Sequence, residues 1–243
     1  MAHRTRRRLT KTELKKDPVA ENLARAWEFL RTHVKETAIA CAALLAVILI
    51  VQSVISSGRK QNADSMARYL LAETIFEQAE QLVAAGRPEE AAAALSQAYT
   101  IAGEVYDRNQ NRDWGRRAAI LAAKAGILLG RETEVIETLQ TLLAARPDGM
   151  IAQSARLHMG IALENRGGVE DLANARVNYA EVAADSTAFP LMSADALAGL
   201  SRLSLLEGDS GSARMFLQES MEVRGDTTDF DMYQLALIPA QPE

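Results

Sequence analysis

Only one cysteine, three histidines and six prolines occur in 243 residues, and each scarcity removes a class of chemistry. With Cys41 alone, neither an internal disulfide nor a thiolate metal cluster can form. His3 sits in a basic start, His33 before a long apolar run and His158 inside a helical pattern, so no two are paired by local spacing. No H-E-x-x-H, G-x-S-x-G or glycine-rich phosphate loop is present, and Gly167-Gly168 lacks the following Lys and Ser or Thr. The expectation is a non-enzyme with no cofactor and no metal site. Aromatics are only 5% of the chain and no β-like alternation persists, which points to an all-α protein.

Charge is missing altogether from residues 37–58, TAIACAALLAVILIVQSVISSG, and residues 38–51 are apolar without a break. At about 1.5 Å per residue, residues 37–55 span roughly 28 Å, the depth of a bilayer's hydrocarbon core. The ten Ile, Leu and Val side chains of that stretch favour insertion by about 3–6 kcal/mol. The segment reads as a transmembrane helix, with Cys41 a small apolar residue in it; lipid attachment or contact with a buried pigment are the alternatives for that thiol.

Orientation follows from charge. Residues 1–36 hold ten Lys and Arg against five acids, a net +5, whereas residues 58–243 hold 17 basic and 27 acidic residues, a net −10. The positive-inside rule leaves the N-terminus in the cytoplasm and the acidic domain in the periplasm of a bacterial inner membrane, as a signal anchor and not a cleaved leader. Residues 1–16 form a basic tail, read as setting topology and touching anionic lipid, with no nucleic acid expected. In residues 17–36, Asp17-Pro18 starts a helix on which Val19, Leu23, Ala26, Trp27, Leu30 and Val34 make one apolar stripe. Trp27, Leu30 and Val34, with Arg31 and Lys35, are the candidate membrane-interface residues. The helix fits either the lipid bilayer or the cytoplasmic surface of a membrane partner.

From residue 59 to 224 apolar residues recur at helical spacing, with helices expected at about 61–85, 88–107, 113–129, 132–145, 149–166, 169–184, 191–207 and 210–223. The breaks repeat a pattern: Gly86/Ala91/Leu95, Gly130/Val135/Leu139 and Gly208/Ala213/Leu217, with Gly168/Ala175/Tyr179 a copy carrying two extra residues. This resembles the tetratricopeptide repeat, in which glycine ends the first helix and a small residue lets the second pack closely. Gly160 and Pro147 match further positions of that motif, although the period is longer and most aromatic positions are vacant. The expected fold is all-α: one N-terminal transmembrane helix, then a tetratricopeptide-like α-solenoid.

The layout as a whole, with the GRPEEA, GRETEV and GDSGSA turns, is similar to the YfgM-like family of membrane-anchored tetratricopeptide proteins. That resemblance implies association with the SecYEG translocon and periplasmic chaperones. The expected function is a non-enzymatic scaffold or accessory subunit that binds and stabilises a larger inner-membrane complex, whether translocon, respiratory or photosynthetic. Its partners would be integral membrane or periplasmic proteins. A tethered periplasmic chaperone and a membrane-anchored regulator are the competing readings.

Binding residues in such arrays lie on the first helix of each pair, the concave face. Transfer of that pattern gives Glu73 and Glu80, Arg117 and Lys124, Glu164 and Asn165, and Asp195 and Arg202 as partner-binding candidates. Arg116 joins Arg117 and Lys124 in a basic cluster, and Trp114 opens the same helix. Residues 225–243 form a tail whose apolar members, Phe230 and Tyr233 among them, either cap the last repeat or dock on another subunit.

Overall fold

The computed structural model of the chain describes residues 18–147, 149–225 and 229–238. The basic tail 1–16 and the Asp17 N-cap lie outside the described residues, as do the side chains of Leu30, Phe230 and Tyr233. Among the described residues the protein is all-helical, with no strand. Its helices are α1 (Pro18–Thr32), α2 (Val34–Ala84), α3 (Pro88–Asn109), α4 (Asp113–Leu128), α5 (Glu132–Ala144), α6 (Gly149–Arg166), α7 (Val169–Ala183), α8 (Pro190–Leu206), α9 (Ser210–Arg224) and α10 (Asp229–Leu237). Two compact units divide between Lys60 and Gln61.

In the first unit α1 closes at Thr32, so Val34 and Lys35 start α2 instead of continuing the juxtamembrane helix. The Thr32 hydroxyl donates back to the carbonyls of Glu28 (2.9 Å) and Phe29 (3.1 Å). Such side-chain bonding competes with the backbone ladder and bends helices. The apolar part of α2 is bare: every described side chain from residue 42 to 53 is exposed. One helix among the described residues, Ala42–Ala84, is long and apolar enough to cross a membrane.

The second unit is built from helical hairpins packed through alanine. Ala72, Ala79, Ala98, Ala102, Ala118, Ala125, Ala155, Ala162 and Ala175 are wholly buried, together with Val135, Leu139, Leu142, Tyr179 and Val182. Small side chains let helix backbones approach closely, and short hydroxyls then bind across the gap. Ser193 donates to the Ala183 carbonyl (2.9 Å), Ser201 to Ala213 (2.7 Å) and Ser220 to Ala194 (2.7 Å). Each helix from α3 onward contacts its successor, except that α9 is followed only by the lightly packed α10; α4 also touches α6, and α6 touches α8.

Turn chemistry explains where the helices stop. Gly86, Gly130, Gly167 and Gly208 all adopt φ between 71° and 80°, a left-handed conformation open to glycine at little steric cost. Pro88 and Pro190 occupy first-turn positions of α3 and α8, where no N–H is needed. The Asp209 carboxylate caps α9 by accepting from the Ser212 N–H at 3.0 Å. One register is corrected by this geometry. The turn glycine of the third hairpin is Gly167 (φ 74°), whereas Gly168 (φ −67°) is the extended N-cap of α7. The pattern there therefore carries three extra residues before Ala175, not two.

Candidate functional site

Three helices that begin hairpins, α4, α6 and α8, line a groove of about 400 Å³. Lys124 comes from α4; Ser154, Leu157, His158 and Ile161 from α6; Met192, Asp195, Ala198 and Arg202 from α8. Three of the sequence candidates, Lys124, Asp195 and Arg202, thus converge on one cavity. Their register is the reason: Lys124 and Arg202 each lie six residues before a left-handed glycine, and Asp195 thirteen before. The same offsets from Gly167 give Ser154 and Ile161, both in the groove wall. Counted from Gly168 those offsets fall on Ala162 and Ala155 instead, and the candidates Glu164 and Asn165 lie at neither offset from either glycine.

The groove carries separated charges over an apolar floor. The Lys124 ammonium is exposed and makes no ion pair or hydrogen bond. Half-buried His158 has Nδ1 2.7 Å from the Ser154 carbonyl. A carbonyl only accepts, so Nδ1 carries the proton and Nε2 keeps its lone pair. Loss of hydration, against the help of that carbonyl and with Lys124 adding to it, lowers the imidazole to about 4; it is neutral at physiological pH. Desolvation raises the Asp195 carboxyl, a rise that Arg224 and Arg202 oppose.

Arg202 is committed to a structural partner. Its Nε donates to Glu164 Oε1 (2.8 Å) and its Nη2 to Oε2 (2.9 Å), while the Tyr179 hydroxyl donates to the same Oε2 at 2.6 Å. Burial and then the Glu164 carboxylate raise the Tyr179 hydroxyl well above its ordinary range. The wholly buried Tyr179 ring lies between two glycines: a Cβ on Gly160 or on Gly199 would fall 2.6 Å from ring carbons. Glu164 and Arg202 therefore lock α6, α7 and α8 together; Asn165 is exposed beside them and lines no described cavity.

The remaining candidates spread over other surfaces. The Arg117 guanidinium stands 5.7 Å over the Trp114 ring, which itself tilts against Tyr69 at 5.5 Å. The Tyr69 hydroxyl donates to Glu73 (2.8 Å), and burial with that carboxylate pushes it up to about 12. Arg116 is half-buried with its Nε enclosed and unpartnered, so the three cations of α4 do not share one open face. Glu80 is exposed on α2. In the first unit Trp27, Arg31, Val34 and Lys35 are all exposed.

The tail helix α10 rests on α9. Ile238 is buried against Ala213 and Leu217, and its carbonyl accepts from Arg214 Nη2 at 2.8 Å. An apolar slot of about 180 Å³ remains between α8, α9 and α10, with Arg202 on its rim as well as on the groove's. No family model matches the chain, and neither a curated protein nor a solved structure does.

Proposed function

We propose that this chain is a single-pass membrane scaffold, non-enzymatic, whose periplasmic tetratricopeptide-like domain binds and stabilises a larger inner-membrane protein complex. The observation that carries the reading is the bare apolar stretch of α2. Ile39, Leu44, Leu45, Val47, Leu49 and Ile50 are each more than half exposed, and an uncovered apolar surface of that length is expensive in water and favourable in lipid. The charge difference across it supports a cytoplasmic N-terminus. The groove of α4, α6 and α8 is the surface offered to a protein segment. Its free ammonium at Lys124, neutral acceptor at His158 and carboxylate at Asp195, over Leu157, Ile161 and Met192, suit a mixed-charge amphipathic segment.

Two measurements test this. Protease added to spheroplasts digests residues 60–243 and leaves a small protected N-terminal fragment; full protection of the C-terminal unit overturns the topology. Affinity capture at native expression level in mild detergent returns a defined set of membrane or periplasmic proteins; recovery of this chain alone overturns the scaffold reading. Replacing residues 38–55 with an unrelated transmembrane helix separates a built-in subunit, which loses its partner, from a tethered chaperone-like binder, which keeps it.

A further inference from the structure

We infer that α1 is a membrane-surface helix that binds anionic lipid on the cytoplasmic side, and that it does so as a tethered second contact beside the span. The inference rests on reading α2 as that span. Its first support is the break after Thr32: α1 ends there and α2 restarts at Val34, so the stripe of α1 is not an extension of the span's own surface. The second is the stripe itself. Leu23 and Trp27, four residues apart on one face, are 65% and 70% exposed, and no described residue of their own unit covers them. Phe29, off that stripe, is stacked on His33 with ring centroids 4.6 Å apart.

The third support is how charge is divided. Within α1, Glu21 and Glu28 balance Arg25 and Arg31, so the helix brings apolar area and almost no net attraction of its own. Residues 1–16, directly before it, hold seven Lys and Arg and only Glu13 as an acid. A polybasic stretch joined to an apolar stripe is the pairing of two weak signals that holds a segment on an anionic leaflet. The span keeps α1 within reach of that leaflet, so even a weak surface affinity becomes an intramolecular one. A protein partner would have to supply both the apolar slot and the acidic patch that a lipid surface already offers.

The chain holds two tryptophans, Trp27 in the first unit and Trp114 in the second. The full-length Trp114→Phe variant therefore isolates the α1 signal. It is reconstituted into brominated phosphatidylcholine vesicles with and without phosphatidylglycerol, and vesicle flotation is recorded with Trp27 emission. Expected are flotation in both lipids, blue-shifted emission, and bromolipid quenching at least twofold stronger with phosphatidylglycerol. That increment should vanish when the seven Lys and Arg of residues 1–16 are changed to Gln. The wild-type minus Trp27→Phe difference spectrum gives the same readout with Trp114 intact. Floating protein with water-like, unquenched Trp27 overturns the inference and leaves the span standing. So does shielding that occurs in native membranes but not in vesicles, which marks a protein partner. Quenching indifferent to phosphatidylglycerol and to the Gln changes overturns the anionic-lipid assignment. Failure to float removes the span and the inference with it.

Discussion

Arg202 holds Glu164 in a two-pronged grip, Nε to Oε1 at 2.8 Å and Nη2 to Oε2 at 2.9 Å, joining α8 to α6. The Tyr179 hydroxyl shares that carboxylate from α7, with its ring clasped between Gly160 and Gly199. Three helices thus meet at one side chain. Gly160→Ala and Gly199→Ala are each expected to cost about 1–3 kcal/mol, because the ring has no free side to move toward. Tyr179→Ala should cost about 3–5 kcal/mol. Combined with Gly199→Ala it should cost clearly less than the sum, because the clash partner is gone. Urea denaturation of residues 60–243 checks all four; additive losses would show that the ring and Gly199 are not in contact.

Of the two cations that line the groove, Lys124 is free and Arg202 is spent on Glu164. On the proposed reading, Lys124→Glu should weaken partner binding while changing stability by less than about 0.5 kcal/mol, since the side chain is exposed. Arg202→Glu should instead lower the melting temperature, because it sets two carboxylates against each other at the Tyr179 hydroxyl. Partner affinity unchanged by Lys124→Glu across a salt series would make the groove face merely solvated.

Acid sensitivity should trace to His158. Its folded value of about 4 lies below its ordinary 6.5, so between those limits the unfolded chain binds more protons than the folded one. Stability is therefore full above pH 6.5 and falls as pH drops toward 4, by about 1.4 kcal/mol per unit. His158→Gln should flatten the slope between pH 6.5 and 5, above the range of most carboxylates. Equal slopes in the two proteins, followed by chemical denaturation, would count against a desolvated imidazole.

Deleting residues 229–243 should uncover Ala213 and Leu217, loosen α9 and promote self-association through that edge. Amide exchange is expected to rise in α9 and the end of α8 and to stay unchanged in α3 through α5. Ile238→Asp should reproduce the effect at one position, because it is 3% exposed. A monomer with unaltered exchange would show that α10 caps nothing.

Helix positions were legible because punctuation here is local: Gly86, Gly130 and Gly208, Pro88 and Pro190 each end or start a helix by their own backbone chemistry. At the third turn two adjacent glycines stand side by side, and only the three-dimensional path tells that Gly167 and not Gly168 is left-handed. The groove was half legible. A seven-residue step on α4 and α8 picks out side chains on one face, but whether a charge is free or spent depends on a partner remote in sequence. Glu164 and Arg202 looked like ligand contacts and are each other's partner. His158 reads in the sequence as a lone histidine in a helix; it lies four residues after Ser154 and three before Ile161, and so falls on the groove face once the register is counted from Gly167. The break at Thr32 had no sequence signal stronger than a threonine beside a histidine.

The contacts of the second unit join helices that are neighbours, or next but one, along the chain. Few distant segments have to find one another, and loop-closure entropy is small at every step. No cysteine lies beyond residue 41, so no oxidation step has to accompany folding. A domain wired in this way can assemble hairpin by hairpin in the order in which the chain emerges, each new pair settling on the one before, with α10 closing the edge last.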